Sequence, residues 1–173
     1  MPFLGTAFAG ETTFIDLDRG AGQTKTIFGA SVALLSDSFL GIEADVAHSP
    51  RFFQGDVRPP TVLSSRVTTL SGSVMVAAPL ALTRESLRPY VVGGLGWMQA
   101  RTENAGRVLP GLDTDLLGLS VGGGAIGLVS PFTGVRFDVR HFKAVTGERG
   151  LFAREGNSRL SFWRASVALA LRY

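Results

Sequence analysis

Hydrophobic and polar residues alternate with a period of two along most of this chain. The C-terminal segment shows it best. Trp163, Ala165, Val167, Leu169, Leu171 and Tyr173 form one set; Phe162, Arg164, Ser166, Ala168, Ala170 and Arg172 form the other. Successive side chains of a β-strand point to opposite faces, so the segment predicts a strand with one apolar face and one that is mostly small, polar or basic. The same sorting recurs upstream. Val135, Phe137, Val139 and His141 alternate with Arg136, Asp138, Arg140 and Phe142, and Leu40, Ile42, Ala44 and Val46 alternate with Gly41, Glu43, Asp45 and Ala47. The stretches Phe28 to Leu34, Thr68 to Val76, Pro89 to Met98 and Leu117 to Ala125 follow suit, while Pro2 to Ala9 alternates too weakly to assign its faces.

Eight strands are predicted, at residues 2–10, 25–35, 38–49, 64–77, 88–101, 115–128, 133–143 and 160–173. Strands of about 9–14 residues suit a tilted crossing of membrane hydrocarbon, which needs roughly 9–11, better than globular strands of roughly 5–6. Shorter links (Ser36-Asp37-Ser38, Pro79 to Leu87, Ser130 to Thr133) alternate with long polar ones (Glu11 to Thr24, Ser49 to Ser65, Thr102 to Thr114, Ala144 to Arg159). All long links then fall at one end of a single antiparallel up-and-down barrel over residues 1–173, and both termini fall at the other.

Composition decides where such a barrel sits. Of the 173 residues, 45% are hydrophobic and only 18% are charged, against about 25% charged in a usual soluble domain. The longest glycine-free apolar run, Val74 to Leu82, is far shorter than a membrane helix needs. The few charged strand positions cannot solvate the outer wall of a water-soluble barrel. Turned inward, Glu43, Asp45, Arg136, Asp138, Arg140 and Arg164 pair in a narrow lumen, and small residues leave them room. Turned outward, the Leu, Val and Phe rows face lipid, with Trp97, Trp163 and Tyr173 as interfacial aromatics. Closure also removes the unpaired sheet edge that lipid does not tolerate.

The remaining bulk features mostly exclude. There are no cysteines, hence no disulfide framework or thiol nucleophile. The net charge of +3 comes without a basic stripe, so no nucleic-acid partner is expected. Met1-Pro2-Phe3-Leu4-Gly5 lacks the parts of a secretory signal, so the sequence is expected to be a mature chain with Met1 an added initiator.

Three stretches resemble the small eight-stranded outer-membrane barrels, the OmpA-like transmembrane domain and its OmpX/OmpW-type relatives of the porin family. Arg88-Pro89-Tyr90-Val91-Val92-Gly93-Gly94-Leu95-Gly96-Trp97 is similar to the fifth-strand pattern of Pro-Tyr, glycines and an aromatic. Leu119-Ser120-Val121-Gly122-Gly123-Gly124, leading to Arg136-Phe137-Asp138-Val139-Arg140, is similar to the sixth and seventh strands. Val167, Leu169, Leu171 and Tyr173 resemble the terminal signal read by the barrel-assembly machinery. The resemblance implies an all-β transmembrane barrel in the outer membrane of a Gram-negative envelope. It leaves function open, because the fold hosts anchors, adhesins, channels and enzymes. No peptidoglycan-binding domain follows Tyr173, so no cell-wall tether is expected.

Candidate chemistry is sparse. The only histidines, His48 and His141, fall near the long-link ends of their strands. Lipid A deacylases of this fold use Ser, His and an acid; Ser49 follows His48 but points to the opposite face, and catalysis is not expected. Gly122 to Gly127 matches G-x-G-x-x-G but lies within a strand, with Ser130-Pro131 after it, so it is read as relief of crowding and not as a nucleotide loop. Asp16-Leu17-Asp18-Arg19-Gly20 lacks the later ligands of a calcium loop. Arginines in or beside the long links (51, 58, 66, 101, 107, 149, 154 and 159) suit either lipopolysaccharide phosphates or plain solvation. No cofactor or metal is expected. The resulting expectation is a non-catalytic outer-membrane barrel with a plugged polar lumen. Its role is structural or lies in surface contact through four long extracellular loops, with the loop partner unspecified. A narrow channel for ions or small solutes and a lipid A-modifying enzyme are the alternatives.

Overall fold

The structure, a computed structural model, describes residues 1–12, 24–36, 39–50, 62–79, 87–104, 112–130, 132–146 and 160–171. Its strands are β1 (Pro2–Thr12), β2 (Lys25–Leu35), β3 (Leu40–Pro50), β4 (Val62–Ala77), β5 (Leu87–Asn104), β6 (Leu112–Leu128), β7 (Thr133–Thr146) and β8 (Leu160–Leu171). Each pairs antiparallel with its sequence neighbours, and β8 pairs with β1 to close the barrel. Directly opposed residues run round the wall from Leu35 through Gly41, Met75, Val92, Gly122, Arg140, Arg164 and Ala7 to Lys25. One circuit therefore returns to β2 ten residues from its start, at Lys25 instead of Leu35. A stagger of this order tilts the strands by roughly 40° and leaves an interior just wide enough for side chains.

The two-residue alternation becomes an outer and an inner surface. Ile42, Val74, Val91, Leu95, Leu119, Val121, Phe137, Val167 and Leu169 are large, apolar and exposed on the outside. The intervening residues point inward and are mostly buried. A sheet cannot leave so much apolar surface in water, whereas lipid solvates it. In β1, whose faces the sequence leaves open, Phe3 and Ala7 are buried while Leu4 and Thr6 are exposed. The register of β1 on β8 shifts between Phe8 and Glu11, where Ala9 adopts φ 50°.

The strand limits match the alternation closely at the short-link end; at the other end β2 and β8 begin at the expected Lys25 and Leu160, while the remaining strands run past it. β4, β5 and β6 have 16, 18 and 17 residues. The link expected over Thr102 to Thr114 is partly strand, since Thr102 opposes Leu112 and Arg101 opposes Asp113. β7 likewise runs on to Thr146. The cause is physical: beyond the lipid both faces meet water, so apolar alternation stops while the backbone ladder continues. The seven residues of β5 after Trp97 carry the sheet roughly 17 Å further along the barrel axis, at ~3.3 Å per residue and a tilt near 40°.

The outer apolar surface continues down to the short links, where Phe39, Leu87, Val129 and Phe132 are exposed. Its upper limit is marked by Trp97 and Trp163, also exposed on the outside. Between these limits lies a band of about 20–25 Å, the height typical of a transmembrane barrel. Tyr173, expected as the other aromatic of the last strand, lies outside the described residues, as do Arg172 and the Asp16–Gly20 segment.

Candidate functional site

Inside the barrel, three layers succeed one another from the short-link end to the long-link end. The lowest holds Met75, Ala77, Tyr90 and Val92, with Leu35 and Ile126 packed against them. Beside it Arg88, itself buried, donates from Nε to the Ala78 carbonyl at 2.8 Å and from Nη2 to the Ser36 carbonyl at 2.6 Å. This one side chain ties the β4–β5 link to the β2–β3 link across the mouth of the lumen.

The middle layer is the charged one. The inward faces of β3, β7 and β8 deliver Glu43, Asp45, Arg136, Asp138, Arg140 and Arg164, all almost wholly buried. Arg136 grips Glu43 with both terminal nitrogens, at 2.7 and 2.9 Å, and donates from Nη2 to Asp138 at 3.0 Å. Arg140 holds Asp138 side-on through Nε and Nη2, at 2.7 and 3.0 Å, and reaches Glu43 Oε2 at 2.7 Å. Two arginines and two carboxylates thus form one neutral, densely bonded cluster. Arg164 makes a separate pair with Asp45, whose other oxygen accepts from Ser71 Oγ at 2.6 Å. Buried charges persist only in this state, paired and hydrogen-bonded.

Tyr90 joins the cluster without being charged. Its hydroxyl accepts from Arg136 Nε at 2.6 Å and donates to Asp138 Oδ2 at 2.5 Å, and its ring lies under the Arg136 guanidinium at 4.7 Å. The sequence signal for this role was only its place on the inward set of β5, next to the Pro89 that opens the resemblance motif. The glycines of β6 explain why the cluster fits. A Cβ at Gly122 would collide with the Cα and Cγ of Arg140, and one at Gly124 with the Tyr90 hydroxyl and the Phe137 carbonyl. Gly122 and Gly124, the first two glycines of the G-x-G-x-x-G pattern, are therefore the floor on which Arg140 and Tyr90 rest.

The upper layer is apolar, which the alternation alone did not reveal. Ala7, Val67, Met98, Leu116, Phe142, Ala144, Leu160 and Phe162 form one buried cluster inside the barrel, with the Phe142 and Phe162 rings stacked at 5.1 Å. Phe142 and Phe3 also flank the Arg164 guanidinium, each ring centre 4.9 Å away. The charges are thus separated from the long-link end by a packed hydrocarbon layer.

On the outer wall the histidines have modest surroundings. His48 shares a 2.9 Å hydrogen bond between Nδ1 and Thr68 Oγ1 and lies against Phe28. Ser49 points inward and donates to the Thr26 carbonyl. His141 packs on Trp163 at 4.9 Å. Among the described residues no group of His, Asp and Glu is arranged to hold a metal ion. Arg66 is exposed and directly opposes Arg101; the other arginines expected at the long links, residues 51, 58, 107, 149, 154 and 159, lie outside the described residues.

No protein-family model matches the sequence, and no curated protein matches it. Similar solved structures do exist. Neisserial surface protein A aligns with a TM-score of 0.63 at 14% identity, over 99% of this chain and 94% of its own. The N-terminal β-barrel domain of Pseudomonas aeruginosa OprF gives 0.51 at 11% identity, over 97% and 96%. Ail, the attachment invasion locus protein of Yersinia pestis, gives 0.50 at 10% identity, over 97% and 95%. At these identities the likeness concerns the fold. With the closed eight-stranded topology and the apolar band, it establishes that this chain has the fold of the small eight-stranded outer-membrane β-barrels.

Proposed function

We propose that the protein is a non-catalytic barrel of a Gram-negative outer membrane, with a plugged lumen and with its working surface at the long-link end. The observation that carries this reading is the filling of the interior. A neutral, densely bonded ion cluster lies between an apolar layer above and the Arg88 tie below. An ion entering along the axis would have to cross hydrocarbon and then separate buried ion pairs, and both steps oppose a conducting path. The extension of β4–β6 beyond the band supports a role in structure or surface contact, with outer-leaflet lipid and lipopolysaccharide as the immediate surroundings. Val167, Leu169 and Leu171 are exposed on the outer wall, and in this reading they belong to the signal for the assembly machinery.

Planar-bilayer recording on detergent-refolded protein tests this. The expected result is conductance near zero. A steady single-channel current that Arg140→Leu abolished would replace the plug with the narrow-channel reading. The lipid-modifying reading is weaker, because His48 pairs with a threonine and, among the described residues, no carboxylate is bonded to its ring. Loss of acyl chains from lipid A incubated with the refolded protein would restore it.

A further inference from the structure

Arg140 and Arg164 directly oppose each other on β7 and β8. Both side chains reach across the lumen to the same face of β3, Arg140 to Glu43 and Arg164 to Asp45, two residues further on. Two guanidiniums therefore run side by side through a narrow interior. Each guanidinium has its own carboxylate partner, so the charges balance, but a guanidinium carries five N–H donors and these partners do not use them all.

Their hydrogen bonds do not close the account. Arg140 Nη1 and Arg164 Nε and Nη1 are buried and have no protein acceptor among the described residues. The Thr69 and Ser73 hydroxyls, on the inward face of the neighbouring β4, are also unmatched. The imbalance has a sign: three of these five atoms only donate, the other two can donate, and none is a carboxylate oxygen. The nearby carboxylates are already occupied. Asp138 Oδ2 accepts from Tyr90, Arg136 and Arg140, and Glu43 Oε2 accepts from two arginines. The Arg164 guanidinium carbon lies over the rings of Phe3 and Phe142, 4.9 Å from each ring centre, and neither ring offers a hydrogen-bond acceptor in the plane of its N–H groups.

The geometry points to a buried binding site for a small inorganic anion of the chloride class, held by the free donors of Arg140 and Arg164. An anion supplies acceptors in every direction to the donors that Glu43, Asp45 and Asp138 leave unused. A water molecule would bring two further donors into a place where donors are already in surplus. The site depends only on the inner wall, so it stands whether or not the barrel conducts.

Two measurements on the full refolded chain decide it. The first is anomalous diffraction from crystals grown in bromide. A peak within hydrogen-bond distance of Arg140 Nη1 or Arg164 Nη1 is expected; electron density there without anomalous signal would mean water and would overturn the proposal. The second is thermal unfolding at constant ionic strength, with chloride replaced stepwise by gluconate. The midpoint should rise with the logarithm of chloride concentration, and Arg164→Gln should remove that dependence. A bromide peak with a chloride-independent midpoint would mark an adventitious ion and would equally overturn it. Should Arg164→Gln fail to refold, the two wild-type measurements still decide.

Discussion

Arg136 employs all three guanidinium nitrogens, on Tyr90, Glu43 and Asp138. Its removal leaves carboxylates short of a partner in a buried place. Arg136→Met is therefore expected to destabilise the barrel by about 3–5 kcal/mol, the usual cost of breaking a buried ion pair on one side. Urea unfolding followed by tryptophan fluorescence, or by heat-dependent gel mobility, would show it. Tyr90→Phe keeps the ring over Arg136 but deletes the hydroxyl, and about 1–3 kcal/mol is expected on the same assay. At this scale the sequence was informative about charge and silent about partners. Glu43, Asp45 and the arginines stood out because a lipid-facing position cannot carry them, which leaves only the inside. Tyr90 did not stand out, because a tyrosine is as much at home at a membrane surface as in a lumen. Phe142 and Phe162 share the inward faces of Arg140 and Arg164, and nothing in a two-residue period says that such faces change from ionic to apolar along the strand.

The glycines show how an element reads differently on its two sides. Gly122 faces inward, where an added Cβ would press on the Arg140 side chain and the Val139 carbonyl. Gly72 sits on the lipid side of β4, where an added Cβ would meet nothing within 4 Å. Gly122→Val should abolish refolding to the heat-modifiable form, while Gly72→Val should leave the urea midpoint within about 0.5 kcal/mol equivalent of wild type. Strand existence was legible for all eight elements, because alternation survives wherever one face meets lipid and the other the lumen. Strand ends were legible at the short links, where the chain reverses at Ser36 and Ser130, and at the long-link starts of β2 and β8, Lys25 and Leu160. They were not legible for the upper parts of β5 and β6. Thr102, Glu103 and Asn104 read as a polar loop by composition, yet they pair with β4 or β6.

At the scale of the molecule, the band between Phe132 and Trp97 fixes where lipid begins and ends. Val74 lies on the outside near its middle, and Gln99 lies just above Trp97 on β5. An arginine on the lipid face costs about 2–4 kcal/mol at the midplane and about 0–1 near an interface. Val74→Arg should thus lower stability in lipid vesicles by the larger amount and Gln99→Arg by the smaller. Equal penalties would move the band. The ten-residue stagger of the circuit bears on how such a wall is put together. Alternation distinguishes odd from even, so a slip of two residues at one seam would still turn apolar residues outward, yet it would change the girth of the entire cylinder. Arg136–Glu43 and Arg164–Asp45 span several seams at once, linking β7 and β8 to a strand that neither of them neighbours. They meet only when the slips around the whole circumference sum correctly. A chain joined with the wrong count would bury unmatched ions in its interior, so the same pairs that fill the lumen penalise every other girth.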